Sequence, residues 1–222
     1  MPSRVEETIP PFPDNVPTAD IYTVNFDRLN NGDAEEARKV FEASRGCGFF
    51  YLSNTHVDYD FMFDMANETF KLPLDEKMKY EMSTTGRYFG YKMKGSNVVD
   101  SKGTPDTSEF YAVSKDEIMK IADKPMKHPE TIDRRRSELK EFMVSAHGVV
   151  LVVLRVLSEK LGLGPDALPD LHRLDRKGGD QARITHSPPV SADVITFGEH
   201  TGESTCATPY FLKLTIMQIL DQ

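Results

Sequence analysis

Phe197-Gly198-Glu199-His200-Thr201-Gly202 follows directly on Val194-Ile195-Thr196-Phe197, a β-branched and aromatic run that predicts a strand delivering His200 at its end. An extended chain turns residues i and i+2 to the same side, so His-x-Asp at a strand end offers one imidazole and one carboxylate to a single ion. Here the residue two after His200 is Gly202, which has no donor atom. A second histidine from a later strand would complete the 2-His-1-carboxylate face that holds Fe(II) and leaves positions open for substrate and oxygen. Residues 203–222 contain no histidine, so the stretch reads as a metal site interrupted after its first ligand.

Upstream, the chain alternates helical and extended signals. Residues 1–17 are Pro-rich and read as an extended arm. Ile21, Val24 and Phe26 suggest a short strand, and Asp33 with Glu36 three residues on predicts a capped helix from Ala34 to Arg45. Gly48-Phe49-Phe50-Tyr51-Leu52 reads as a strand. Phe61, Met62, Met65, Ala66 and Phe70 then recur at helical spacing as a core stripe, and Leu72 to Lys77 restarts a short helix at Pro73. Residues 86–103 predict irregular strands and a loop, and Glu109 to Val113 a strand; the Lys-rich residues 115–127 read as a solvated surface. The longest helical signal runs from Thr131 to Gly162, with Phe142, Ala146, Val149, Val150, Val153, Leu157 and Leu161 on one face. Asp180 to His186 opens a strand region that ends at Pro188-Pro189. Helices first and strands toward the C-terminus predict an α+β fold with segregated layers.

Bulk properties narrow the partners. The chain has 222 residues and a formal charge of −8, with no block of like charges, which argues against nucleic acid or a membrane surface. The longest apolar run, Val149 to Leu154, is short for a bilayer and is followed by Arg155, and the N-terminus shows no apolar signal core, so the expected address is cytoplasmic. Cys47 and Cys206 are expected as free thiols rather than a disulfide or zinc pair. Among the other polar residues, His147 reads as packing, His186 as a strand residue with a ligand contact as the alternative, and His56, His128 and His172 as solvated turn residues. Arg183 reads as a structural ion-pair partner with a substrate clamp as the alternative, and Asp106 and Glu109 as loop and strand polar residues.

The run Gly46 to Asn54, Leu72-Pro73-x-Asp75-Glu76-Lys77-x-Lys79-Tyr80, Gly90-Tyr91-Lys92, Arg183-x-Thr185-His186-x-Pro188-Pro189 and Gly198-Glu199-His200-Thr201 occur together and in order. In this the chain resembles the isopenicillin N synthase-like branch of the Fe(II)- and 2-oxoglutarate-dependent dioxygenases, over about residues 8–201. The resemblance implies an N-terminal non-haem dioxygenase region over 18–165, with the start of a double-stranded β-helix (jelly roll) over 166–201. It also implies Fe(II) and 2-oxoglutarate as cofactors of the complete protein, with a small organic molecule as substrate. His200 matches the first iron ligand. Thr185 and Ser187 fall where the family commonly places Asn and Tyr near the oxoglutarate carboxylate, and the carboxylate ligand is replaced by Gly202. The Arg-x-Ser pair that would grip oxoglutarate has no counterpart in 203–222.

Two functional expectations follow: an oxidoreductase that is inactive as given because its metal face is incomplete, or a non-catalytic fragment or binding module. In the second, the apolar face of the long helix lacks part of the sheet it covers and is left exposed. The segment 202–222 departs from the family, which usually continues Asp-Phe-Gly-Ser after His-Thr. A third reading makes this segment genuine, with Phe211, Leu212, Leu214, Ile216 and Ile219 forming a replacement strand. The genetic code also permits it to be a retained intron: Gly202-Glu203-Ser204 can encode a splice donor and Gln218 an acceptor. Joining the first base of codon 202 to codons 219–222 then restores Asp-Phe-Gly-Ser in frame. Sequencing genomic DNA and cDNA across codons 195–222 is expected to show a spliced transcript reading His-Thr-Asp-Phe-Gly-Ser; codons 219–222 incompatible with that reading would eliminate it.

Overall fold

A computed structural model describes residues 15, 18–82, 89–98, 100 and 102–188. The expectations for the arm over 1–17 fall almost wholly outside the described residues, as does part of the loop expected over 86–103. The strand 194–197, His200, Gly202 and the segment 202–222 lie wholly outside them. The chain divides into two compact units, residues 1–54 and 55–222.

In the first unit, β1 (Thr23–Asn25) runs parallel to β2 (Tyr51–Ser53), with Val24 opposite Leu52. Phe26, expected in the strand, instead begins the short helix α1 (Phe26–Asn30), because the Asn25 side chain caps it by accepting from the Arg28 N–H. The helix α2 (Ala34–Arg45) matches its sequence signal, and Asp33 accepts from the N–H groups of Glu35 and Glu36 at 2.9 and 3.1 Å. A capping box would return the Glu36 carboxylate to the Asp33 N–H, but that N–H already donates to the Arg28 carbonyl. Glu36, only 1% exposed, accepts instead from the Asn25 N–H at 2.8 Å, which ties α2 to the end of β1.

The second unit sets helices against one face of a three-stranded antiparallel sheet. Its strands are β3 (Gly90–Lys92), β4 (Glu109–Ser114) and β5 (Gln181–His186), in the order β3-β4-β5. Because side chains alternate along a strand, Tyr91, Tyr111, Val113, Ala182 and Ile184 share one face, and all are buried. They pack in one core with Met62 and Met65 of α3 (Asp60–Phe70), whose Met and Phe stripe behaves as the spacing predicts. The short helix α4 (Leu74–Met78) starts after Pro73, which supplies the N-cap position. Mixed helix and sheet is the class the sequence predicts, but helices first and strands last is not the order: β1 precedes every described helix, and only β5 follows α7, because β3 and β4 pair with β5 across the whole helical stretch.

Two expectations need correction. The Lys-rich segment is not a plain solvated surface: it opens with the helix α5 (Lys115–Ile118), in which Lys115, Glu117 and Ile118 are buried. Burial of Lys115 is sustained by the carbonyl oxygens of Arg173 and Arg176 and the Asp116 carboxylate; the two carbonyls are too remote in sequence to leave a local signal. The long helix is also two helices, α6 (Glu130–Asp133) and α7 (Arg136–Lys160). Arg135 breaks the run at φ −104° and ψ 18°, with its N–H on the Ile132 carbonyl in a tight turn, and both Arg134 and Arg135 reach across to Glu68. At the far end Gly162 adopts φ +75°, and the N–H groups of Gly162 and Leu163 return to the carbonyls of Glu159 and Ser158, closing α7 as glycine predicts.

By length and composition α7 is apolar enough to cross a membrane, a point the reading from the Val149 to Leu154 run misses. Leu139, Met143, Val149, Val153 and Leu154 are buried, and Leu139 and Met143 belong to the core, so packing accounts for that part of its apolar character. Only 28% of its most apolar stretch is buried, however, and Val144 and Leu161 stand 45% and 59% exposed. Part of the apolar surface of α7 is therefore uncovered.

Gly90 joins β3 to the core by close approach. It has φ +111°, and a Cβ there would run into the backbone carbonyl oxygen of Tyr80, which accepts from the Tyr91 N–H at 2.8 Å. Gly90→Ala is expected to destabilise by about 1–3 kcal/mol in urea unfolding, from backbone strain and displacement of β3. Gly148→Ala, inside α7 with open space around the new methyl, is expected to stabilise by about 0.5–1 kcal/mol in the same assay.

Candidate functional site

The sheet face opposite the core carries the sequence-derived candidates. Pairing places Thr185 opposite Phe110 and Arg183 opposite Ala112, so these four side chains share that face, with Lys92 beyond Phe110 on β3. Thr185 and Ser187 are both exposed. The Arg183 guanidinium lies 4.1 Å from the centroid of the Phe110 ring, a cation–π contact. Among the described residues no carboxylate pairs with it, so the expected structural ion pair is not what holds Arg183. Partial burial pulls its guanidinium below its ordinary pKa. Lys92, the neighbouring cation, is closed off: its ammonium pairs with Asp106 and donates to the Ser108 carbonyl at 2.8 Å.

The core side of the same strands holds a polar cluster centred on Glu109. Its Oε2 accepts from Lys77 Nζ at 2.8 Å and from the Tyr91 hydroxyl at 2.5 Å, and its Oε1 lies 2.9 Å from His186 Nδ1. Burial pushes the Glu109 carboxyl up, but hydrogen bonds from Lys77, Tyr91 and His186 outweigh it and leave the pKa lowered. The same environment, burial first, raises the Tyr91 phenol. His186 also stacks on Phe70 at 5.4 Å. It is thus a strand residue with a structural partner, and Glu109, read from sequence as an ordinary strand residue, is a junction between three elements.

A second buried cluster corrects the reading of His128. Its side chain is fully buried rather than solvated, with Nε2 2.8 Å from Glu117 Oε1 and Nδ1 2.8 Å from the Tyr111 hydroxyl. Arg136 donates to the same Glu117 oxygen at 2.8 Å, and the Met126 N–H donates to the other at 3.1 Å. His56 is exposed as expected, and His172 is half-buried. His147 is half-buried on α7, where burial lowers its pKa, consistent with a packing role. Cys47 is a free, exposed thiol.

The test for iron is one of donor sets. Among the described residues no group of three His, Cys, Asp or Glu side chains could hold a metal ion, and the polar clusters around Glu109 and Glu117 are each closed by Lys or Arg. His200 lies outside the described residues, and Gly202 offers no side-chain donor. The described residues do not make a three-ligand iron face.

Similarity to known proteins decides the family. The profile of the family described as "non-haem dioxygenase in morphine synthesis N-terminal" matches residues 16–134. The chain belongs to the Fe(II)- and 2-oxoglutarate-dependent dioxygenases, isopenicillin N synthase-like branch. It is 27% identical over 151 residues to the 2-oxoglutarate-dependent dioxygenase gloE of Glarea lozoyensis, covering 66% of this chain and 44% of that protein. It is 26% identical over 206 residues to a 2-oxoglutarate-dependent dioxygenase of Gibberella zeae, covering 88% of this chain and 60% of that one. The chain therefore spans about half the length of these relatives. The crystal structure of a full-length Neurospora crassa protein in complex with alpha-KG superposes with a TM-score of 0.61 at 23% identity, over 78% of this chain and 56% of that one, which supports the shared jelly-roll fold. Fe(II) and 2-oxoglutarate are the cofactors of this dioxygenase family.

The Glu117 cluster makes stability pH-dependent. Burial raises its pKa, but His128, Arg136 and the Met126 N–H together bring it from 4.5 to about 2. A folded-state value below the unfolded one contributes stability that is complete above 4.5 and is lost as pH falls toward 2. The stability difference between the natural chain and Glu117→Gln, from urea midpoints, is expected to be full at about pH 6 and to shrink below pH 4.5.

Proposed function

We propose that these residues are the N-terminal part of an oxidoreductase that uses Fe(II), oxygen and 2-oxoglutarate to hydroxylate, desaturate or cyclise a small organic molecule. The chain as given does not turn over. The observation that carries both parts is the family match over residues 16–134 together with a glycine at position 202, two residues after the histidine that resembles the first iron ligand. One imidazole does not make the facial triad this chemistry requires.

Within this reading the outer face of β4 and β5 looks toward the ligands. The resemblance assigns the Thr185 and Ser187 hydroxyls to a bound oxoglutarate carboxylate as donors, and each supplies a single O–H where an asparagine would supply two N–H groups. Glu109, Lys77, Tyr91 and His186 hold β3, α4 and β5 in register behind that face. Their role is positioning, since their donors and acceptors are spent on one another.

The purified 222-residue chain, supplied with Fe(II), ascorbate and 2-oxoglutarate, is expected to form no succinate above an iron-only control. Protein made from the spliced reading, with Asp in place of Gly202 and the continuing sequence, is expected to form succinate. Stoichiometric turnover by the 222-residue chain would overturn its inactivity, and a silent spliced protein would overturn the oxygenase assignment.

A further inference from the structure

We propose that the cavity between the end of α5 and the first turns of α7 is a binding site for a small phosphate monoester. The proposal goes beyond the oxygenase reading and does not rest on it. The cavity holds about 350 Å³, at the small end of the range for ligand sites, which suits a small molecule. Lys120 from the end of α5 lines it, together with Arg136 and Lys140, which stand one turn apart on α7. Ser137, Ile118 and Met119 complete the part of the lining used here.

Positive charge is left over at this cavity because the nearby carboxylates are spent elsewhere. Asp116 pairs with Lys115 and accepts from the Gly178 N–H, Asp123 pairs with Lys177, and Asp133 pairs with Arg136. Glu117 also lines the cavity, but its side chain is only 4% exposed and its oxygens are occupied by His128, Arg136 and the Met126 N–H. Three and four residues from Lys140 along α7 stand Arg136, Ser137, Met143 and Val144, so the helix gives it no acidic neighbour. Among the described residues no carboxylate pairs with Lys120 or Lys140. Arg136 is taken up by Glu117 and Asp133, so the free charge of the lining is that of the two lysines, which a doubly charged oxyanion balances. The end of α7 adds donors of its own: Arg135 makes no side-chain cap, and the first N–H groups of a helix have no partner within it.

The backbone of Lys120 points the same way. It has φ +60° where α5 closes, with its N–H on the Glu117 carbonyl at 3.1 Å and the Ile121 N–H on the Asp116 carbonyl at 2.8 Å. Glycine takes this left-handed closing position without strain, and a lysine side chain adds nothing to the turn. Its ammonium, at the cavity, gives the lysine a purpose there. Ile118 and Met119 beside the cations match an organic body on the phosphate rather than free phosphate.

The test titrates phenyl phosphate, phenyl sulfate and inorganic phosphate into the full 222-residue chain by calorimetry, at low salt and pH 8. There the phosphate ester is a dianion, while the sulfate ester of similar shape carries one charge. Phenyl phosphate is expected to saturate one site and to shift the amide NMR signals of Lys120 and Ser137. Phenyl sulfate and inorganic phosphate are each expected to bind more weakly by about fivefold or more. Lys120→Gly is expected to lose binding by about tenfold or more while its urea midpoint rises, so that the loss does not come from unfolding. Lys140→Gln is expected to lose about fivefold, and Lys160→Gln, at the far end of α7, to bind as the natural chain does. Equal affinity for the two esters, inorganic phosphate as tight as phenyl phosphate, undiminished binding in Lys120→Gly, an equal loss in Lys160→Gln, or no saturation would overturn the proposal. None of these readouts needs iron or turnover.

Discussion

The buried carboxylate of Glu109 is the constraint on which the sheet of the second unit depends. Three elements from distant parts of the chain send a donor to it: Lys77 from α4, Tyr91 from β3 and His186 from β5. A carboxylate in this position is tolerable only when its lone pairs are filled, and removing one partner of a buried pair generally costs roughly 3–5 kcal/mol because the other is left uncompensated. The cluster therefore fixes which face of β4 looks inward. Once Glu109 is inward, alternation puts Tyr111 and Val113 in the core and leaves Phe110 on the opposite side with Thr185 and Arg183. A register slip of one residue would exchange these two sets.

The Glu117 cluster performs a similar task one layer away. His128, Arg136 and the Met126 N–H converge on it, linking α5, the segment before α6 and the first turn of α7. Together the two acidic centres anchor both ends of β4 to helices, while the Met, Leu and Ile side chains between them supply the apolar burial. The outer face of β4 and β5 is then a by-product of a well-determined inner face.

The family match rests on the helical region and the fold, not on a metal centre. The profile match covers residues 16–134, and the matched regions make up about half of the relatives' length. Part of the apolar surface of α7 is uncovered. Among the described residues no group of side chains could hold a metal ion, and at position 202, where the resemblance leads one to expect a carboxylate, glycine has no side-chain donor.

Local signals were enough for much of the architecture. Asp33 announced α2, the Met and Phe spacing announced α3 and Gly162 closed α7, because caps, periodicity and glycine act within a few residues of the chain, and the runs Glu109 to Val113 and Asp180 to His186 fall on β4 and β5. The ordered motifs also identified the family. Tertiary structure decided what local rules cannot reach. Lys115 is buried because carbonyls 58 and 61 residues away receive it, and His128 because Glu117 and Tyr111 enclose it. Glu109 became a junction, and Arg183 a cation on Phe110 with no carboxylate partner among the described residues, only through cross-strand register. A charged side chain carries no local record of its partner, and pairing at long range is settled when the sheet closes.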